Sequence, residues 1–160
     1  MKTLIIYYSR TGATKKLAEK LATVFSADLE VIKDPTNRSG LKGYINCGKE
    51  AVLKKLALID PISHNLKDYD LVLVGTPVWA MTISSPIRAF LENYKSEFKS
   101  WALFATQGGE GEQKTLLGAE KVVGFPAKAF LHLLTKQIQK EDFDAQVEEF
   151  KGKIEKKFII

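Results

Sequence analysis

The chain predicts an α/β fold, a three-layer, doubly wound sheet of five parallel strands in the order 2-1-3-4-5. The hydrophobic period switches repeatedly along the sequence, so strands alternate with helices. Most strand segments are apolar throughout, as in strands buried on both faces beneath crossover helices. Five such units fit 160 residues with no repeat, low-complexity segment or interdomain linker, so residues 1–160 are expected to form a single domain.

Leu4-Ile5-Ile6-Tyr7-Tyr8 is the first buried strand, and Leu17, Ala18, Leu21, Ala22, Val24 and Phe25 form one helical stripe after it. Leu29-Glu30-Val31-Ile32 is a second strand. After the loop DPTNRSG, Leu41, Tyr44, Ile45, Val52 and Leu56 recur at helical spacing and are expected to line a helix. Leu71-Val72-Leu73-Val74 gives the third strand. Ser84-Ser85-Pro86 opens a helix with a hydroxyl cap and an early proline, and its stripe is Ile87, Phe90, Leu91 and Tyr94. WALFAT, from Trp101, is the fourth strand. Gln113 to Ala119 forms a short helix and KVVGF, from Lys121, the fifth strand. Ala127 to Lys140 fits either a strand extension or a helix. Phe143, Val147, Phe150 and Ile154 mark the last helix.

Hydrophobic content of 45% and charged content of 27% are those of an ordinary globule. One cysteine, Cys47, excludes an internal disulfide and any cluster or zinc site built from several thiolates; its place on a helix suggests a small packing residue. That usage is compatible with a reducing cytoplasm, where the protein is expected. The N-terminal apolar stretch is too short for a signal peptide, and no run approaches a membrane span. Net charge is +5, and the first eighty residues carry 12 Lys+Arg against 8 Asp+Glu. This excess suits a phosphate ligand, an acidic partner, an anionic surface or simply a solvated face. The lysines are dispersed and Trp79 and Trp101 follow no base-stacking pattern, so nucleic acid is not expected as a partner. His64 and His132 stand far apart and suggest no metal site.

Doubly wound sheets bind ligands outside the carboxyl ends of their strands, which directs attention to three loops. Ser9-Arg10-Thr11-Gly12-Ala13-Thr14 lies where the amides of a helix start can meet an anion. Gly12 allows positive φ, and Ser9, Thr11 and Thr14 add hydroxyls. The simpler alternative is that Thr11 or Thr14 caps the helix. The loop lacks the spacing of a P-loop or a dinucleotide fingerprint. Thr76-Pro77-Val78-Trp79-Ala80 places an indole just past a buried strand, either as a core anchor or as one wall for a planar ligand. Thr106-Gln107-Gly108-Gly109 could bring backbone donors to a ring edge or form a turn. A phosphate-bearing planar cofactor would account for all three.

The first of these loops resembles the T/S-x-T-G-x-T phosphate loop of the flavodoxin family. Gly75 to Ala80, followed by Pro86-Ile87-Arg88-Ala89-Phe90-Leu91, resembles the family's second flavin loop and its helix. The resemblance implies a flavodoxin-like fold and a non-covalent FMN. Ser9, Thr11, Gly12 and Thr14 would hold its phosphate, and Arg10 and Ala13 would add backbone N–H groups. Pro77, Val78, Trp79 and Ala80 would flank the ring, with Thr76 at the head of that loop. Thr106, Gln107, Gly108 and Gly109 would meet its other side. Glu110 and Glu112 are the acids nearest the ring, where negative charge disfavours a reduced anion.

Two features depart from the family. Familiar flavodoxins are acidic, whereas the pI here is ≈ 9.2, which argues against the same basic partners. Many members also use a glycine in the second loop, whose peptide flips when the flavin is reduced. TPVWAMT has none, so weak stabilisation of the one-electron-reduced flavin is expected, because positive φ costs a non-glycine residue about 1–2 kcal/mol. The resemblance implies an electron carrier serving redox partner proteins or a small donor and acceptor, as a monomer or dimer, with no catalytic residue of its own. An NAD(P)H-dependent reductase of flavin or quinone type is the alternative, and a cofactor-free interaction module the third.

Overall fold

The computed structural model of the protein describes residues 1–109 and 111–159. Its parallel strands are β1 (Thr3–Tyr7), β2 (Asp28–Val31), β3 (Leu71–Trp79), β5 (Trp101–Gln107) and β6 (Phe130–Leu134), ordered β2-β1-β3-β5-β6. This is the predicted sequence of parallel strands. The sheet has six strands rather than five, because β4 (Thr82–Ile83) folds back antiparallel on β3.

Helices cover both faces. On one, Leu17 and Leu21 of α1 (Ala13–Phe25), Ile138 of α5 (Thr135–Gln139) and Val147, Phe150 and Ile154 of α6 (Asp144–Ile159) pack on Ile5, Leu73 and Phe104. On the other, Ile87, Phe90 and Leu91 of α3 (Ser85–Tyr94), Ala119 and Val122 of α4 (Glu112–Val123) and Cys47 of α2 (Gly40–Val52) pack with Ile6, Val74 and Leu103. Cys47 is buried, as its packing role requires.

Three expectations are corrected. KVVGF is not the fifth strand: Val122 and Val123 close the buried stripe of α4, and Gly124 ends that helix at φ 93°. The strand lies in Phe130–Leu134, and the segment left open between strand and helix supplies both β6 and α5. Ser84 precedes α3 but makes no side-chain cap; its N–H donates to Thr76 Oγ1 at 3.0 Å. The apolar stripe of α2 does not enter the core. Gly43, Cys47 and Ala51 are its buried residues, and Leu41, Tyr44, Ile45 and Val52 are exposed.

β2 is an edge strand, and residues 60–64 run beside it. Asp60 N–H donates to Lys33 O at 3.1 Å, and Ser63 N–H donates to Glu30 Oε1 at 2.5 Å. His64 N–H donates to Glu30 Oε2 at 3.1 Å, and its ring Nδ1 lies 2.5 Å from the same oxygen. Burial pushes the Glu30 pKa up, but these hydrogen bonds prevail and hold it below its ordinary value. Its contribution to stability is therefore complete above the carboxylate range and is lost as pH falls through the depressed value. Glu30→Gln is expected to flatten this acid limb in a series of thermal midpoints against pH. An unchanged limb would exclude the contribution.

Candidate functional site

The strand order reverses between β1 and β3, and the three loops meet at the carboxyl ends of β1, β3 and β5. In the first, Gly12 adopts φ 98° and ψ −14° and donates its N–H to Ser9 Oγ at 3.1 Å. α1 begins at Ala13 without a side-chain cap. The capping role open to Thr11 or Thr14 is therefore taken by neither, and the first amides of α1 face the loop. Thr14 is buried, with its Oγ1 2.7 Å from Thr106 Oγ1, so it ties the first loop to the third. Ser9, Arg10 and Ala13 are partly exposed, and Thr11 and Gly12 open to solvent.

The Arg10 side chain points away from the helix start. Its Nε donates to Arg38 O at 2.9 Å, its Nη2 to Gly40 O at 3.2 Å, and its guanidinium stands 5.7 Å from the Tyr44 ring. Tyr8, Ser9, Thr11, Asn37 and Ser39 help to line a cleft of ≈ 420 Å³ here. Arg38 itself is buried. Its Nε donates to Asp34 Oδ2 at 2.5 Å, and its Nη1 to Glu50 Oε2 at 2.6 Å. Glu50 also accepts from Ser85 Oγ at 2.7 Å, so one ion network joins the β2–α2 loop, α2 and α3.

In the second loop Thr76 is buried and donates Oγ1–H to Pro77 O at 2.8 Å, while Pro77 and Val78 are partly exposed. The Trp79 indole is buried on the α2–α3 side. Tyr8 meets it edge-on at 5.7 Å, and the Arg38 guanidinium lies over it at 5.3 Å. Its surroundings are those of a core anchor. Ala80 and Met81 then turn the chain from β3 into β4 with φ of 47° and 61°. The loop thus takes positive φ without a glycine, and the premise that its sequence avoids this conformation does not hold. Such residues cost about 1–3 kcal/mol each and persist where their surroundings dictate them. Ala80→Gly is expected to stabilise the fold by about 1 kcal/mol, measured as a rise in urea midpoint at constant m-value. A fall would mean that this turn is unstrained.

The third loop follows β5. Thr106 and Gln107 are buried, and Gly108 and Gly109 exposed. Gln107 Nε2 donates to Gly109 O, and its buried Oε1 has no partner among the described residues. Gly111, at φ 123°, packs against Met81 so closely that a Cβ there would lie 2.9 Å from Met81 Cγ. Loops two and three therefore touch. Glu110 lies outside the described residues. Glu112 points to His132, with Oε2 2.9 Å from Nδ1. Burial pulls the His132 pKa down against the attraction of Glu112, and its buried Nε2 has no partner among the described residues. These two residues, Gly108, Gly109, Leu134 and Lys136 border a cleft of ≈ 710 Å³.

His132 and Arg38 were missed in sequence as parts of this end of the molecule. Their signals were a polar residue on an otherwise apolar strand and an acid four residues before an arginine. Among the described residues, no group of three or more metal-ligating side chains is present, and no helix is long and apolar enough to cross a membrane.

The sequence profile of the family described as Flavodoxin matches residues 2–150. The chain belongs to the flavodoxin family. A flavoprotein in complex with FMN from Lactobacillus acidophilus NCFM is 26% identical, with a TM-score of 0.72 over 87% of this chain and 97% of that one. A Bacteroides eggerthii DSM 20697 protein assigned as a flavoprotein is 25% identical, with a TM-score of 0.73 over 90% and 96%. An NADH:FMN oxidoreductase in its apo form shares the fold at 18% identity and a TM-score of 0.57, over 97% and 87%. No protein of curated function matches the chain in sequence.

Proposed function

We propose that this flavodoxin family member, acting as one domain, binds FMN non-covalently and carries electrons between redox partner proteins or a small donor and acceptor. The observation that carries this reading is the uncapped start of α1 at Gly12, set beneath a hydroxyl-bearing loop. It fits a phosphate on two counts: the left-handed glycine leaves space beside the backbone, and the first amides of α1 after Gly12, unpaired among the described residues, offer donors reinforced by the helix dipole. Ser9, Thr11, Gly12 and Thr14 hold the phosphate, with amides from Arg10 and Ala13. Thr76, Pro77, Val78 and Ala80 flank one side of the ring, and Trp79 supports that loop from beneath. Thr106, Gln107, Gly108 and Gly109 would meet the other side, where Gln107 Oε1, buried and without a partner among the described residues, could accept a donor from the ring.

The flavin supplies the redox chemistry, and the protein supplies grip, exposure and electrostatics. Glu112 adds negative charge at the third loop, offset by the basic excess of the N-terminal half. The single buried cysteine suits a cytoplasmic setting. A second reading, an NAD(P)H-dependent reductase, is favoured by the cleft at His132 and Glu112, which is large enough for a small planar substrate.

The visible spectrum of the purified protein and identification of any released chromophore test the ligand. Titration of apoprotein with FMN should saturate. Gly12→Ala should weaken it about tenfold or more, since φ 98° strains any L-residue by about 1–2 kcal/mol. A protein that neither holds nor takes up FMN is the interaction module instead. Steady-state NAD(P)H oxidation with a quinone acceptor separates carrier from reductase.

A further inference from the structure

The outward side of α2 and the segment after it combine exposed aliphatic residues with lysines. Leu41, Val52 and Leu58 are 76%, 68% and 80% exposed, and Tyr44, Ile45, Leu53 and Leu56 are exposed beside them. Lone exposed leucines are ordinary, but seven large exposed apolar residues between positions 41 and 58 are not. The helix could have turned this stripe inward. It buries Gly43, Cys47 and Ala51 instead, and a Cβ at Gly43 would lie 2.2 Å from Arg38 O. Close approach on the small-residue side therefore fixes the orientation and leaves the apolar side facing out.

Lys42, Lys49, Lys54 and Lys55 are exposed among these residues. Glu50 is the only acid between residues 39 and 59, and it is turned inward onto Arg38 and Ser85. The face therefore presents aliphatic area together with lysines that no acid of their own segment faces. We propose that it seats the protein peripherally on an anionic lipid surface, with α2 lying in the interface, its aliphatic side inserted and its lysines at the headgroups.

Charge and composition select this occupant. Two-fold pairing with a second copy would bring the same lysines face to face. Protein-binding hot spots favour Trp, Tyr and Arg and are poor in Leu and Val, whereas lysine is depleted from protein interfaces. Here aliphatic residues and lysines predominate, with one tyrosine, which is the pattern of a helix lying on a bilayer. The inference does not rest on a bound flavin.

Flotation with vesicles of phosphatidylcholine alone or mixed with phosphatidylserine tests it on the full chain. The protein should float with the mixed vesicles, less with neutral ones, and less as salt is raised. Leu41→Ser/Ile45→Ser and, separately, Lys54→Glu/Lys55→Glu should each lower partition about tenfold, with thermal midpoints unchanged. Absence of flotation, or flotation indifferent to both variants or equal on neutral lipid, overturns the proposal. So does a dimer in light scattering that the serine variant dissociates, which gives the face to a second copy. Saturable binding of soluble polyglutamate without vesicle partition gives it to an acidic protein, and overturns the proposal as well.

Discussion

Arg38→Ala is expected to destabilise the fold by about 3–5 kcal/mol, the cost of removing one partner from a buried ion pair. The Arg38 and Asp34 side chains are 4% and 1% exposed, so water cannot replace the lost contact. Without the guanidinium, Asp34 keeps one donor, the Thr36 N–H at 2.8 Å, and Glu50 keeps Ser85 Oγ. Burial alone would lower the Arg38 pKa, yet the two carboxylates raise it, so the cation is fixed at any working pH. Lysine should not rescue the variant, because a point charge cannot fork to both carboxylates. Urea midpoints at constant m-value measure the loss. Removing Asp34 as well, as Arg38→Leu/Asp34→Leu, should recover part of it. No recovery would place the cost in lost packing over Trp79 instead. The variant should also weaken FMN uptake, because without the side-chain ion network the segment whose Arg38 carbonyl accepts from Arg10 of the first loop is no longer held in place.

Gly75→Ala is the second large effect, expected near the upper end of overpacking costs, about 3 kcal/mol. Gly75 pairs with Tyr7 of β1 on one side and Phe104 of β5 on the other. A Cβ there would lie 2.2 Å from Phe104 Cζ and 2.8 Å from Tyr7 Cβ. Phe104 is wholly buried beneath α1 and α6 and has nowhere to rotate. Relief must come from separating the strands, directly below Thr76 and the second loop. Denaturation gives the stability loss, and the same variant should release FMN more readily. A cost under 1 kcal/mol would show that the core yields here.

What the sequence disclosed follows the strength of local signals. Strands such as Leu71 to Val74 are buried on both faces and are apolar throughout, so the order of elements was legible. Val122 and Val123 misled because β-branched residues that close a helical stripe look like a strand. β4 escaped because Ala80-Met81 carries none of the glycine, asparagine or aspartate that usually announces such a turn. The period of α2 was readable but its direction was not, since a glycine can mark the tighter contact while leucines face out. At the site, the phosphate loop was legible from Gly12 and its hydroxyls. The Thr14–Thr106 tie and the His132–Glu112 pair join residues 92 and 20 positions apart, and no local pattern encodes such pairs.

The guard along β2 bears on how the protein behaves once concentrated. Leu29 and Val31 leave that margin sticky, and the carboxylate of Glu30 is what fastens residues 63 and 64 beside it. Acid strong enough to reach the depressed Glu30 value, below the usual carboxylate range, would unlatch this cover, baring a ribbon onto which another molecule could add its own strand. Clumping on storage should therefore begin at this margin, and be governed by acidity rather than by heat.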